Sequence, residues 1–182
     1  MKNDIAKILL SEQQLQKRVK EMAEEISRDY ADKKPTMVCI LKGAAMFYTD
    51  LLRNMPIPLT MDFMAVSSYG NKTKSSGEVE IRKDLSSSIE NKHVIIVEDI
   101  VDSGFTLTYL KRVLASRGAA SIALTTLLDK PARRAPGITL KSDYSGFVIG
   151  DEFVVGYGLD YAEFYRNLPY IGVLKPEIYS DG

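Results

Sequence analysis

The stretch His93-Val-Ile-Ile-Val-Glu-Asp-Ile-Val-Asp-Ser-Gly-Phe-Thr106 decides the fold. Val94, Ile95, Ile96 and Val97 form an unbroken β-branched run, which predicts a strand buried on both faces within a parallel sheet. The run ends at Glu98 and Asp99, so carboxylates are expected at the strand's carboxyl end, where open α/β sheets bind their ligands. Asp102, Ser103, Gly104 and Thr106 follow, and then Leu107, Leu110 and Leu114 share one face of a predicted helix that Gly118 stops. The loop thus hands a ligand to a helix N-terminus. Free N–H groups, small hydroxyls and the positive dipole end suit a phosphate there, and Gly104 lets the backbone approach closely.

Acidic residues beside a phosphate cradle imply a partner that carries positive charge or is itself polyhydroxylated. Mg²⁺ would be shared between carboxylate and phosphate oxygens, and the hydroxyls of a ribose could donate to Glu98 and Asp99. The plainer alternative is that the carboxylates only cap the following helix.

The 182 residues, 45 % of them apolar, suffice for one sizeable core and are too few for two ordinary domains. Twenty-four basic and 24 acidic residues cancel, so no net field favours nucleic acid or an anionic membrane. The single cysteine, Cys39, lies in an apolar strand pattern and has no partner for an internal disulfide. No stretch reads as a signal peptide or reaches membrane-spanning length, so a cytoplasmic protein is expected.

From the N-terminus, Ser11 to Gln14 is a capping-box pattern, followed by Leu15, Val19, Met22, Ala23 and Ile26 at helical spacing. Thr36 to Leu41 is a second buried strand, ending in Lys42-Gly43 before a helical stretch around Phe47 and Leu51. A lysine here complements the acidic pair, or simply ends the strand in solvent. Leu59 to Val66 reads as a strand and Val79 to Arg82 as a returning one. The polar, glycine-punctuated stretch 67–77 between them is long for a connection inside a compact domain. Ser121 to Leu128 is a further buried strand, ended by Asp129-Lys130-Pro131, and Arg133 and Arg134 read as solvated loop charges. Short strands are expected at Phe147 to Ile149, Phe153 to Tyr157 and Ile171 to Leu174. His93 has no evident chemical part.

Val94 to Thr106 resembles the phosphoribosyl-pyrophosphate motif of type I phosphoribosyltransferases, most closely that of the hypoxanthine-guanine phosphoribosyltransferases. Leu41-Lys42-Gly43, Ser67-Ser68-Tyr69-Gly70, Lys130, and Phe153 to Tyr161 with Arg166 extend the resemblance over most of the chain from about Thr36. It implies a single α/β domain, 1–182, with a mainly parallel central sheet flanked by helices (core about 36–130), a small hood from about 1–10 and 144–182, and a mobile flap. It further implies purine salvage, with phosphoribosyl pyrophosphate and a purine base as partners and Mg²⁺ as cofactor.

The resemblance also distributes roles. Asp102 would handle the proton at the purine N7, with Ser103, Gly104, Phe105 and Thr106 around the 5′-phosphate and Ile100 in the binding motif. Phe105 departs from relatives that carry a basic residue inside the motif, so no side-chain contribution to phosphate binding is expected there. Leu41, Lys42 and Gly43 would serve pyrophosphate together with Arg166, and the Leu41–Lys42 peptide can be cis in that family. Ser67 to Tyr69 would close as a lid. Lys130 would read the 6-oxo group, with Phe153, Val154 and Asp160 near the base, and Glu98, Asp99 and Asp160 would hold the metal, Asp160 through water. A homodimer or homotetramer is expected. Two other classes fit the same pocket. One is a regulatory binding protein without chemistry, disfavoured by the absence of a basic patch in the sequence. The other is a phosphoribosyltransferase for adenine or a pyrimidine, disfavoured by Lys130 and the Phe153 segment.

Overall fold

The computed structural model describes residues 1–68 and 79–180. Tyr69, named above for the lid, and Gly70, part of the resemblance, lie outside the described residues, as does most of the flap.

Six strands form the main sheet in the order β4-β3-β2-β5-β6-β7: β2 (Thr36–Leu41), β3 (Thr60–Ser68), β4 (Val79–Lys83), β5 (His93–Val101), β6 (Ser121–Asp129) and β7 (Tyr144–Val148). All neighbours are parallel except β4, which runs antiparallel to β3 on the edge. A smaller antiparallel sheet, in the order β1-β9-β8, joins β1 (Ile5–Leu10), β9 (Ile171–Leu174) and β8 (Val154–Val155).

Both faces of the main sheet are covered because alternate residues of each central strand point opposite ways. Met37, Cys39, Ile95 and Val97 pack with α1 (Glu12–Asp29) and α2 (Ala45–Arg53) on one face. Val38, Ile40, Val94 and Ile96 pack with Leu107, Leu110 and Leu114 of α3 (Phe105–Ser116) on the other. Val94 to Val97 are wholly buried, and each such side chain contributes about 1.5–3 kcal/mol of transfer free energy. The reciprocal capping box at Ser11 and Gln14 is formed and starts α1.

Two boundaries differ from the sequence reading. The strand of the central motif does not end at Val97. β5 stays paired with β6 through Val101, but its pairing with β2 stops at Cys39–Val97. A gap therefore opens between the ends of β2 and β5, and Glu98 and Asp99 lie beside it. The second difference concerns β7, which was expected with the hood. Tyr144 to Val148 instead pair with β6 in the main sheet, so the small sheet contains only β1, β8 and β9. Arg18 of α1 donates to the carbonyls of Ser145 and Gly146, tying β7 to the helical layer.

Candidate active site

A cavity of about 340 Å³ occupies the gap at the carboxyl ends of β2 and β5. Leu41 and Gly43 line it on one side, Glu98 and Asp99 at its base, Ser103, Gly104 and Thr106 at the start of α3, and Asp160 and Arg166 from the hood. A second cavity of about 420 Å³ lies alongside, lined by Lys130, Glu152, Phe153, Val154 and Tyr179 among others. Ile100 and Asp102 belong to both. Asp102 thus stands on the wall that the two cavities share.

Gly104 is the N-cap of α3, in the left-handed region at φ +83°, and no side chain caps the helix. The first N–H groups of α3 are therefore without partners, as at any uncapped helix start. A Cβ on Gly104 would stand 2.8 Å from Ile138 Cγ2, so both the conformation and the packing demand glycine. Phe105, by contrast, is 44 % exposed and lines neither cavity.

The Leu41–Lys42 peptide is cis. Gly43 beyond it has no room for a side chain, because a Cβ there would collide with the Asp99 carboxylate, and one on Gly158 would collide with the Gly43 carbonyl. The hood is thereby seated directly on this loop. The ammonium of Lys42 turns to Glu163, at 2.8 Å, and does not line the cavity. Arg166 donates to the Gly158 carbonyl and pairs with Asp160 at 2.8 Å, while its Nε is buried without a protein partner.

Asp160 is held by Arg166 and by the Glu163 N–H, at 2.9 Å. Among the described residues, no three carboxylates gather closely enough to hold an ion by themselves, and the expected part of Asp160 is to act through water. Glu98 and Asp99 remain as the acidic pair. Two carboxylates with room for ligand oxygens and water fit Mg²⁺, which is seldom held in an all-protein cage. Burial pushes both carboxyls up, with the neighbouring Asp99 carboxylate adding to the effect on Glu98.

This has a consequence for stability in the absence of a divalent cation. Below the ordinary carboxylate range both groups are protonated in the folded and unfolded chain, and the pair contributes nothing. As pH rises through that range the unfolded chain ionises first, so the pair increasingly destabilises the fold until the folded carboxyls ionise too. Combined Glu98→Gln and Asp99→Asn should therefore raise Tm at pH 8 by about 2–4 °C for each ~1 kcal/mol relieved. The gain should shrink at pH 4, and equal gains at both pH values in thermal scans would refute it.

Lys130 is only 8 % exposed and donates to the Glu152 carbonyl at 2.6 Å. Phe153 stacks on Tyr179 with ring centroids 4.9 Å apart and meets Tyr161 edge-on. Ser67 is not brought to either cavity; its hydroxyl donates to Glu80 in the β3–β4 hairpin.

The reading of Arg133 and Arg134 as solvated charges holds for Arg133, whose side chain is 53 % exposed, and is corrected for Arg134. Arg133 pairs with Asp102 at 3.2 Å and with Asp151 at 3.5 Å. Arg134 is largely buried, pairs with Asp129 and donates to the Asp102 carbonyl. Tyr179 was also missed, since a lone tyrosine near the end of a chain carries no pattern. The arginines offered a faint signal, two adjacent cations just past a strand end that already bears Asp129.

Residues 6–162 match the profile of the phosphoribosyl transferase domain. The chain is 55 % identical over 180 residues to the hypoxanthine-guanine phosphoribosyltransferase of Bacillus subtilis, covering 99 % of each. It is 57 % identical to part of the bifunctional protein TilS/HprT of Listeria innocua, spanning 28 % of that longer relative. The crystal structure of a hypoxanthine phosphoribosyltransferase from Staphylococcus aureus superposes with a TM-score of 0.95 at 52 % identity, covering 100 % of this chain and 97 % of that one. The chain therefore belongs to the phosphoribosyltransferases with the type I fold, and among them to the hypoxanthine-guanine phosphoribosyltransferase family.

Proposed function

We propose that this chain performs purine salvage, transferring the phosphoribosyl group of 5-phosphoribosyl 1-pyrophosphate to hypoxanthine or guanine to give IMP or GMP and pyrophosphate. The observation that carries the reading is the pair of adjoining cavities, one acidic-floored beside an uncapped helix start and one aromatic with a buried lysine, sharing Asp102. The reaction joins a purine nitrogen to the anomeric carbon as the carbon–oxygen bond to pyrophosphate breaks. Catalysis then amounts to orienting two ligands and stabilising charge on the leaving group.

In this reading Ser103, Gly104 and Thr106 bind the 5′-phosphate, and Glu98 and Asp99 accept from the ribose hydroxyls and hold Mg²⁺. Mg²⁺, when bound, neutralises pyrophosphate oxygens. Leu41, Lys42 and Gly43, with Arg166 from the cavity wall, serve the pyrophosphate. Asp102 takes the proton at N7, its second carboxylate oxygen left free by Arg133. Phe153 and Val154 hold the base, with Tyr179 stacked on Phe153 in the same cavity wall.

Lys130 supplies the discrimination. An ammonium has donors only, so it matches a 6-oxo group and cannot satisfy adenine's 6-amino group. Leaving that mismatch buried costs roughly 1–3 kcal/mol or more, which should make adenine a very poor substrate. Backbone carbonyls near Val154 and Asp160 would accept from guanine's 2-amino group, and xanthine should trail both oxopurines. Steady-state assays with each nucleobase and phosphoribosyl pyrophosphate test this, and Lys130→Gln should narrow the gap between hypoxanthine and adenine. Comparable kcat/KM for adenine and hypoxanthine in the unaltered protein would overturn the assignment.

We place the protein in the cytoplasm and as a homodimer or homotetramer. Among the described residues no helix is long and apolar enough to cross a membrane. The thiol of Cys39 is buried and pushed up to about 12 by that burial, as suits an unreactive core cysteine. Exposed Met46 and Met61 offer apolar surface for self-association, which light scattering would measure.

A further inference from the structure

Three successive carbonyls of the phosphate loop are tied back to one segment behind it. Val101 O accepts from Lys130 N at 3.0 Å, Asp102 O from the Arg134 guanidinium at 2.5 Å, and Ser103 O from Ala135 N at 3.0 Å. In a trans peptide the C=O and the next N–H point in opposite directions. Anchoring these oxygens behind the loop therefore turns the N–H groups of Asp102, Ser103 and Gly104 the other way, and Ser103 and Gly104 line the cavity. Ser103 N–H and Gly104 N–H donate to no acceptor among the described residues. Of the three anchors only the middle one is a side chain.

That side chain is itself fixed. One guanidinium nitrogen of Arg134 pairs with Asp129 at the end of β6, another holds the Asp102 carbonyl, and its Cδ would stand 3.1 Å from a Cβ on Gly104. Both partners of the ion pair are largely buried, with side-chain exposures of 14 % and 16 %. A planar fork can hold the carboxylate and the carbonyl at once in one geometry, whereas an ammonium on a flexible stem cannot. We propose that Arg134, clamped by Asp129, is a positioning residue that sets the Asp102–Ser103 peptide so that its N–H binds the phosphate of the ligand. It acts on phosphate recognition without touching the ligand. The inference rests on the proposed use of this loop as a 5′-phosphate site.

The test compares the affinities of GMP and guanosine by titration calorimetry, their ratio isolating the phosphate's contribution. The unaltered protein should bind GMP much more tightly; equal affinities would remove the phosphate site itself and with it the proposed function. Given that preference, Arg134→Ala should reduce the ratio at least tenfold with guanosine affinity nearly unchanged. Arg134→Lys should recover only part of it, and Asp129→Asn, which keeps size and frees the guanidinium, should also reduce it. Circular dichroism and Tm establish that each variant is folded. A folded Arg134→Ala or Asp129→Asn protein with the unaltered ratio would overturn the inference, as would an equal loss of affinity for guanosine and GMP.

Discussion

Replacing Asp102 by Asn should lower kcat by about 10²–10⁴-fold, the usual contribution of a positioned general acid or base, while KM for either substrate changes much less. The substitution keeps the side chain's size and an oxygen that can still accept from Arg133, which approaches Oδ1 at 3.2 Å. It leaves the Asp102 carbonyl, and so its bond to Arg134, in place. The fold and the phosphate loop should therefore survive, and Tm should move little. Exchange of one carboxylate oxygen for an amide nitrogen on the wall between the two cavities is then the only chemical change. Steady-state kinetics with hypoxanthine decide the matter. An unchanged kcat would reduce Asp102 to a structural residue that anchors Arg133.

Removing divalent cations should abolish turnover, and adding Mg²⁺ back should restore it. The leaving group carries several negative charges and arrives beside two carboxylates that burial already pushes toward protonation. Ionising that pair beside an anionic leaving group is unfavourable until a cation joins them. Among the described residues no three carboxylates form a ready-made metal site, so metal and phosphoribosyl pyrophosphate should bind interdependently. Titration calorimetry should show weak Mg²⁺ binding without the phosphorylated sugar and much tighter binding with it. Replacing Glu98 and Asp99 by Ala together should chiefly raise KM for phosphoribosyl pyrophosphate, as the proposed role of the pair in positioning sugar and metal requires. Full activity in excess chelator, unaltered by Mg²⁺, would rule out the metal.

The chain carries much of this in local patterns. Val94 to Val97 announce a doubly buried strand because burial on both faces leaves no polar position in the run, and all four are buried against α1, α2 and α3. Gly104 announces the turn because few other residues adopt its backbone conformation, and the left-handed φ of +83° is observed there. Strand and helix periodicity thus determined the α/β class, and the strand-loop-helix order determined which strand ends carry the site. Lys130 stands out at the end of a core strand and through the resemblance, and it is buried and lines the second cavity.

Other features depend on which strands become neighbours, and no local pattern encodes that. β7 joined the main sheet because β6 offered it a free edge, although its own sequence is no more apolar than a hood strand's. Arg133 and Arg134 look solvated in sequence, since a cation on a loop normally is. Arg134 becomes a buried structural residue, while Arg133 stays exposed, only because β5 and β6 pair in parallel through Val101 and Asp129, which sets the end of one strand beside the segment leaving the other. The same pairing puts Asp102 within reach of Arg133 and leaves Glu98 and Asp99 beside the gap where β2 has parted from β5. Residue type and spacing fixed which groups could bind phosphate, metal and base. Tertiary pairing decided which of them are held, by what, and facing which cavity, because those contacts join residues far apart along the chain.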